Sequence, residues 1–99
     1  MKGMTKMRGG NVEEFVDNIY MGQELVFLYK GQKFFLQGYC DKGSPNLYLD
    51  RWDPPGNDYI WVGKGSKSEG YPVDEFLEQK LWDSRSFWEA QDEMEWIDC

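Results

Sequence analysis

The apolar residues of this chain change period between Tyr20 and Leu25, and that change limits what the chain can fold into. Val12, Phe15, Val16, Ile19 and Tyr20 recur at the i, i+3, i+4, i+7, i+8 spacing of one buried helix face. Asn11 stands where a helix N-cap is wanted. Glu13 and Glu14 fall in the first turn, where the helix dipole favours anions, and Gly22 follows as a stop. From Leu25 the rhythm is two: Leu25, Phe27 and Tyr29 alternate with Val26, Leu28 and Lys30, as in a half-buried strand.

Gly31-Gln32 reads as a two-residue hairpin turn. The return strand is Lys33–Cys40, with Phe34 and Leu36 on one face and Phe35, Gln37 and Tyr39 on the other. Asp41 to Asn46, with Gly43 and Pro45, reads as a loop, and Leu47–Trp52 as a third strand. Asp53-Pro54-Pro55-Gly56-Asn57-Asp58 is the strongest turn signal. Tyr59–Val62 is a short fourth strand, and Gly63 to Gly70 a connector. Pro72 opens a helix whose apolar stripe is Val73, Phe76, Leu77 and Leu81. Ser86 and Glu89 form a capping box for a second helix carrying Phe87, Ala90, Met94 and Ile97.

This order predicts an α+β fold: an N-terminal helix, a four-stranded antiparallel meander, and two acidic C-terminal helices packed on one sheet face. Residues 1–10 read as a flexible basic arm and 11–99 as a single domain. Six Phe, six Tyr and five Trp are more than an acidic disordered chain would carry, and more than a small core needs. Some of these rings are therefore expected at the surface.

Charge is distributed unevenly. From Glu69 to Cys99 ten carboxylates face two bases, Lys80 and Arg85, for a net −8; residues 1–68 carry eight acids and nine bases, for a net +1. A one-sided negative field repels nucleic acid and attracts basic grooves on proteins. The candidate partner-binding residues are Asp74, Glu75, Glu78, Glu89, Asp92, Glu93 and Glu95, with Trp88 as an amphipathic anchor among them.

Several chemistries find little support. The chain has no histidine, which removes the commonest general base and the commonest nitrogen ligand of zinc. Cys40 and Cys99 form no disulfide framework and no CxxC pair. No catalytic residue, cofactor or metal site is assigned. Neither a membrane-spanning run nor a signal-peptide core is present, so a cytoplasmic location is expected. Lys64 and Lys67 in the Gly63–Ser68 loop offer an anion-binding alternative, without Walker spacing. Asp50, Asp53 and Asp58 offer a metal-dependent nuclease alternative. Phe35, Tyr39, Tyr48 and Trp52 offer an aromatic sheet face for a ligand or peptide.

The opening helix, the hairpin Glu24 to Phe34 and the acidic segment Phe87 to Asp98 resemble the small acidic inhibitors of phages and mobile elements, of which the anti-CRISPR proteins are the best-known. The resemblance implies a non-enzymatic, stoichiometric inhibitor of a basic nucleic-acid-binding protein such as a CRISPR effector, some members mimicking DNA. An immunity protein or antitoxin against a basic nuclease would use the same electrostatics. A homodimer is also expected to be accessible, through short edge strands and spare aromatics.

Overall fold

Asn11 caps the first helix as expected: its Oδ1 accepts the backbone N–H of Glu13 at 2.7 Å and that of Glu14 at 3.2 Å. Helix α1 runs Val12–Tyr20 and buries Val12, Phe15 and Ile19. The protein is described by a computed structural model covering residues 7–53, 55–56 and 58–98. It is α+β, with one antiparallel sheet.

The first hairpin turn lies one residue earlier than the sequence suggested, and the second is tighter. Strand β1 (Leu25–Tyr29) turns into β2 (Gln32–Asp41) through Lys30-Gly31, not Gly31-Gln32. Lys30 and Gly31 have φ of 49° and 78°, the left-handed pair that a right-twisted two-residue hairpin demands. Strand β3 (Ser44–Asp53) follows through Lys42-Gly43, with φ of 54° and 83°. The loop expected over Asp41 to Asn46 therefore shrinks to two residues, and Pro45 enters the ladder opposite Cys40. Strand β4 is Trp61–Lys64, pairing with β3 from Asn46 to Leu49.

The C-terminal third differs most from expectation. Helix α2 spans Val73–Glu78, and α3 only Phe87–Ala90. A 3₁₀ turn at Gln91–Glu93 then leads into a fifth strand, β5 (Met94–Asp98). The sheet order is β4-β3-β2-β1-β5, so five strands replace the expected four, and the second acidic helix is mostly not a helix. The reason lies in β1. Its free edge is an apolar strand whose N–H and C=O groups need partners, and residues 94–98 supply them, pairing Tyr29 with Met94 and Phe27 with Trp96. Met94 and Trp96 turn inward by strand alternation, while Glu95 lies opposite Leu28 on the other face.

Of the arm expected over residues 1–10, Met7 is buried and Arg8 is tied to β5 on both sides. Its N–H donates to the Met94 carbonyl at 3.0 Å, and its carbonyl accepts from Trp96 N–H at 2.8 Å. Residues 1–6 lie outside the described residues.

The three helices cover one face of the sheet. Phe15 of α1 meets Phe27, Phe87 and Trp96 at centroid distances of 5.5, 5.6 and 5.3 Å. Trp82, in the link between α2 and α3, lies edge-on to Phe27, Tyr29 and Phe34. Each such ring contributes about 1.5–3 kcal/mol of burial. Gly38 marks a tight seam: a Cβ there would lie 2.6 Å from Gly22 Cα and 2.7 Å from the Tyr71 ring. Among the described residues no helix is long and apolar enough to cross a membrane.

Candidate functional site

The seven carboxylates singled out from the sequence are divided by the fold. Asp74, Glu75 and Glu78 are exposed on α2, on the helical side of the sheet. Asp74 accepts the phenol proton of Tyr20 at 2.7 Å, which ties α2 to the end of α1 and pushes the Tyr20 phenol above its ordinary range. Glu89 completes the capping box of α3, accepting Ser86 N–H at 2.8 Å and pairing with Lys80 at 3.2 Å. The backbone bond from Ser86 and the Lys80 ammonium hold its carboxyl below the usual range. Asp92 is exposed on the 3₁₀ turn, Glu93 is engaged by Arg85, and Glu95 lies on the opposite face of the sheet. The single helix expected to carry Glu89, Asp92, Glu93 and Glu95 is therefore broken, giving way to a 3₁₀ turn and β5.

Glu93 belongs to a network that locks the β1–β2 turn against the segment after α2. Arg85 bonds to Glu93 at 2.8 Å and donates to the Tyr29 hydroxyl at 2.8 Å. Tyr29 and Lys30 both donate to Asp83, each at 2.9 Å. The Lys30 ammonium, then the Tyr29 hydroxyl, hold the Asp83 carboxyl below the usual range. Asp83 and Ser84 both sit at positive φ, 56° and 67°, to make this turn. These acids act in structure first.

What the sequence reading missed is the contribution of α1. Glu13, Val16, Asp17 and Tyr20 follow one another at i, i+3, i+4, i+7, a second stripe beside the buried one. The fold sets part of it against Trp88 of α3. Val12, Val16 and Trp88 line a groove of about 460 Å³ that Glu13 and Asp17 also border. The helical side thus carries Glu13, Asp17, Asp74, Glu75, Glu78 and Glu89, of which Glu13 and Asp17 border the apolar groove. The ion pair found there among the described residues is Lys80 with Glu89. The stripe itself is present in the sequence, but its meeting with Trp88 is set by tertiary packing.

The other candidates fare as follows. Lys64 lies in a depression of about 520 Å³ that it shares with Glu69, Asp74 and Glu75, a lining that does not favour an anion. Asp50 and Asp58 border a shallow depression with Gly56 and Tyr59; Asp53 is not among its described lining. Among the described residues no group of three or more His, Cys, Asp or Glu could hold a metal ion. Cys40 is a free thiol beside the Tyr71 hydroxyl, and Cys99 lies outside the described residues. The aromatic face is open: Trp52 stacks on Phe35 at 4.4 Å, and Tyr48 lies 6.4 Å from Tyr39 and 5.2 Å from Tyr59.

Comparison with protein-family models, with curated proteins and with solved structures finds no match to this chain.

Proposed function

We propose that this protein is a non-enzymatic inhibitor that docks its helical side onto a basic nucleic-acid-binding protein, such as a CRISPR effector. The observation that carries the reading is the groove of Val12, Val16 and Trp88 bordered by Glu13 and Asp17, within a helical layer dominated by carboxylates. An arginine of a nucleic-acid groove finds both of its usual partners there. The indole face of Trp88 takes the guanidinium plane, and a carboxylate takes its N–H fork. Glu75 and Glu78 on α2, on the same helical side, add to the field that speeds encounter.

The test is displacement of labelled duplex DNA from purified CRISPR effectors and basic nucleases. The protein is expected to displace DNA from at least one of them, with an affinity that falls steeply as salt rises. Reversal of Glu13, Asp17, Glu75 and Glu78 to lysine is expected to abolish displacement with the circular-dichroism spectrum intact. Those positions are preferable to Glu89 and Glu93, whose reversal would also break the α3 cap and the Arg85 bond. Equal displacement by the reversed variant would overturn the reading.

A further inference from the structure

Three tyrosines stand together on the sheet face that the helices leave open. Gln37 of β2 pairs with Tyr48 of β3, and Tyr39 stands two residues on, diagonal to Tyr48. Tyr59 precedes β4 and is held near Tyr48 by the next residue, Ile60, whose N–H donates to the Leu49 carbonyl at 2.7 Å. The Tyr48 ring centroid lies 6.4 Å from that of Tyr39 and 5.2 Å from that of Tyr59, with the planes inclined by 62° and 48°. Inclined rings make a concave wall, not a stack, and with Gln37 they line a cleft of about 340 Å³. The wall is fixed from beneath. Asn46, only 3% exposed, donates from Nδ2 to the Tyr48 hydroxyl at 3.1 Å, and its Oδ1 accepts from Ser44 Oγ at 2.9 Å. Tyr39 and Tyr59 are 61% and 50% exposed, so both rings are open to a ligand. A second depression, of about 270 Å³, shares Tyr59 as a wall and is lined by Asp50, Gly56 and Asp58.

Charge and hydrogen-bonding capacity select the ligand. The strand register sets Asp41, Asp50, Asp53 and Glu95 on this face against Lys33 and Lys64, and Lys64 lines the separate depression beside Asp74 and Glu75. At the adjoining rim Asp50 and Asp58 outnumber the Arg51 guanidinium beside Gly56. The field is therefore negative, which disfavours nucleic acid and other anions and favours a cation. A cation within roughly 6 Å of a ring centroid is drawn to the electron-rich face of the ring, and three rings line one cleft here. Among the described residues no carboxylate lines the cleft itself. A lysine ammonium or an arginine guanidinium would bring N–H donors to satisfy there, and the ammonium is strongly hydrated. A quaternary ammonium has no N–H. Its methyl groups suit ring faces, and its charge needs only the field of nearby carboxylates.

We propose that the Tyr39–Tyr48–Tyr59 cleft binds a quaternary methylammonium group, its methyls against the rings and its charge toward Asp50 and Asp58. This inference does not depend on what the helical side binds. The test is an NMR titration of the full chain with isotope-labelled tyrosine rings. Choline chloride is expected to shift the Tyr39, Tyr48 and Tyr59 ring signals together and saturably, with a dissociation constant of about 1–10 mM, because exposed cation–π contacts are individually weak. Neohexyl alcohol, the uncharged analogue in which carbon replaces nitrogen, is expected to bind at least about tenfold more weakly. Tyr59→Leu keeps an apolar side chain without the ring and is expected to weaken choline binding at least about fivefold, whereas Tyr59→Phe stays within about twofold, both with unchanged circular-dichroism spectra. The double variant Asp50→Asn/Asp58→Asn is expected to weaken it about two- to fivefold at low salt. A peptide bearing trimethyllysine separates the two sources of this group. Binding about tenfold tighter than choline's assigns the site to a modified protein tail, and equal binding assigns it to a small molecule; both uphold the site. No saturable shift up to about 50 mM choline, equal binding of neohexyl alcohol, or indifference to Tyr59→Leu would overturn the proposal.

Discussion

Tyr20 and Asp74, 54 positions apart, share one proton-donating contact: the phenol Oη lies 2.7 Å from the carboxylate Oδ1 and donates to it. It links the last residue of α1 to the first turn of α2, and both groups are at the surface. Asp74→Asn is expected to lower the Tyr20 pKa toward the ordinary phenol value of about 10, because a neutral amide no longer favours the protonated phenol. Absorbance titration of the phenolate band, with Tyr20→Phe identifying the signal, checks it. Urea unfolding of Tyr20→Phe is expected to show a loss of at most about 1 kcal/mol, since the bond is solvated.

Acid should unfasten the C-terminal third. Asp83 and Glu89 both have folded-state carboxyl pKa values below their unfolded ones, which are about 3.9 and 4.3. A depressed folded pKa contributes stability that is fully present above the unfolded value and is lost as pH falls through the folded one. Thermal midpoints are therefore expected to hold down to about pH 5 and to fall progressively below it. In the double variant Asp83→Asn/Glu89→Gln the midpoint at neutral pH should be lower and the acid fall shallower. An unchanged acid slope in that variant would show that these two groups do not govern it.

Gly38 is expected to tolerate no side chain. Its missing Cβ is what lets Gly22 and Tyr71 land on β2, and the contacts an added methyl would make are backbone and ring, neither of which yields easily. Gly38→Ala should cost about 1–3 kcal/mol by overpacking, read from urea midpoints. Gly31→Ala makes the contrast. A Cβ there meets nothing within 4 Å, so its cost arises from the φ of 78° alone and should be about 1 kcal/mol.

How much of this was legible depended on how local the cause was. The α1 cap, the alternation that puts Leu25 with Phe27 and Phe34 with Leu36, and the Ser86–Glu89 capping box are each settled by residues within four positions of one another, and all stand as read. The first hairpin turn reads one residue late and the second as a longer loop, because Lys-Gly is a weaker cue than Asn-Gly, although both pairs adopt the same left-handed conformation. The last strand was illegible for a different reason. Phe87, Ala90 and Met94 satisfy a helical spacing, and only the vacant edge of β1, more than sixty residues earlier, turns Met94–Asp98 into a strand. The acidic helical side was half legible. Its α2 members were found, while Glu13 and Asp17 were hidden because their meeting with Trp88 is a product of tertiary packing.

The pairing of β1 with β5 has a kinetic consequence. Leu25-Val26-Phe27-Leu28-Tyr29 can form its hairpin with β2 early, through contacts only a few residues apart. Its second edge waits for residues 94–98, and Arg8 can close over β5 only after that. Until the final strand arrives, a sticky apolar ribbon lies open to any other extended chain. The slow step of folding, and the moment of greatest risk of aggregation, should therefore both lie at this one late closure.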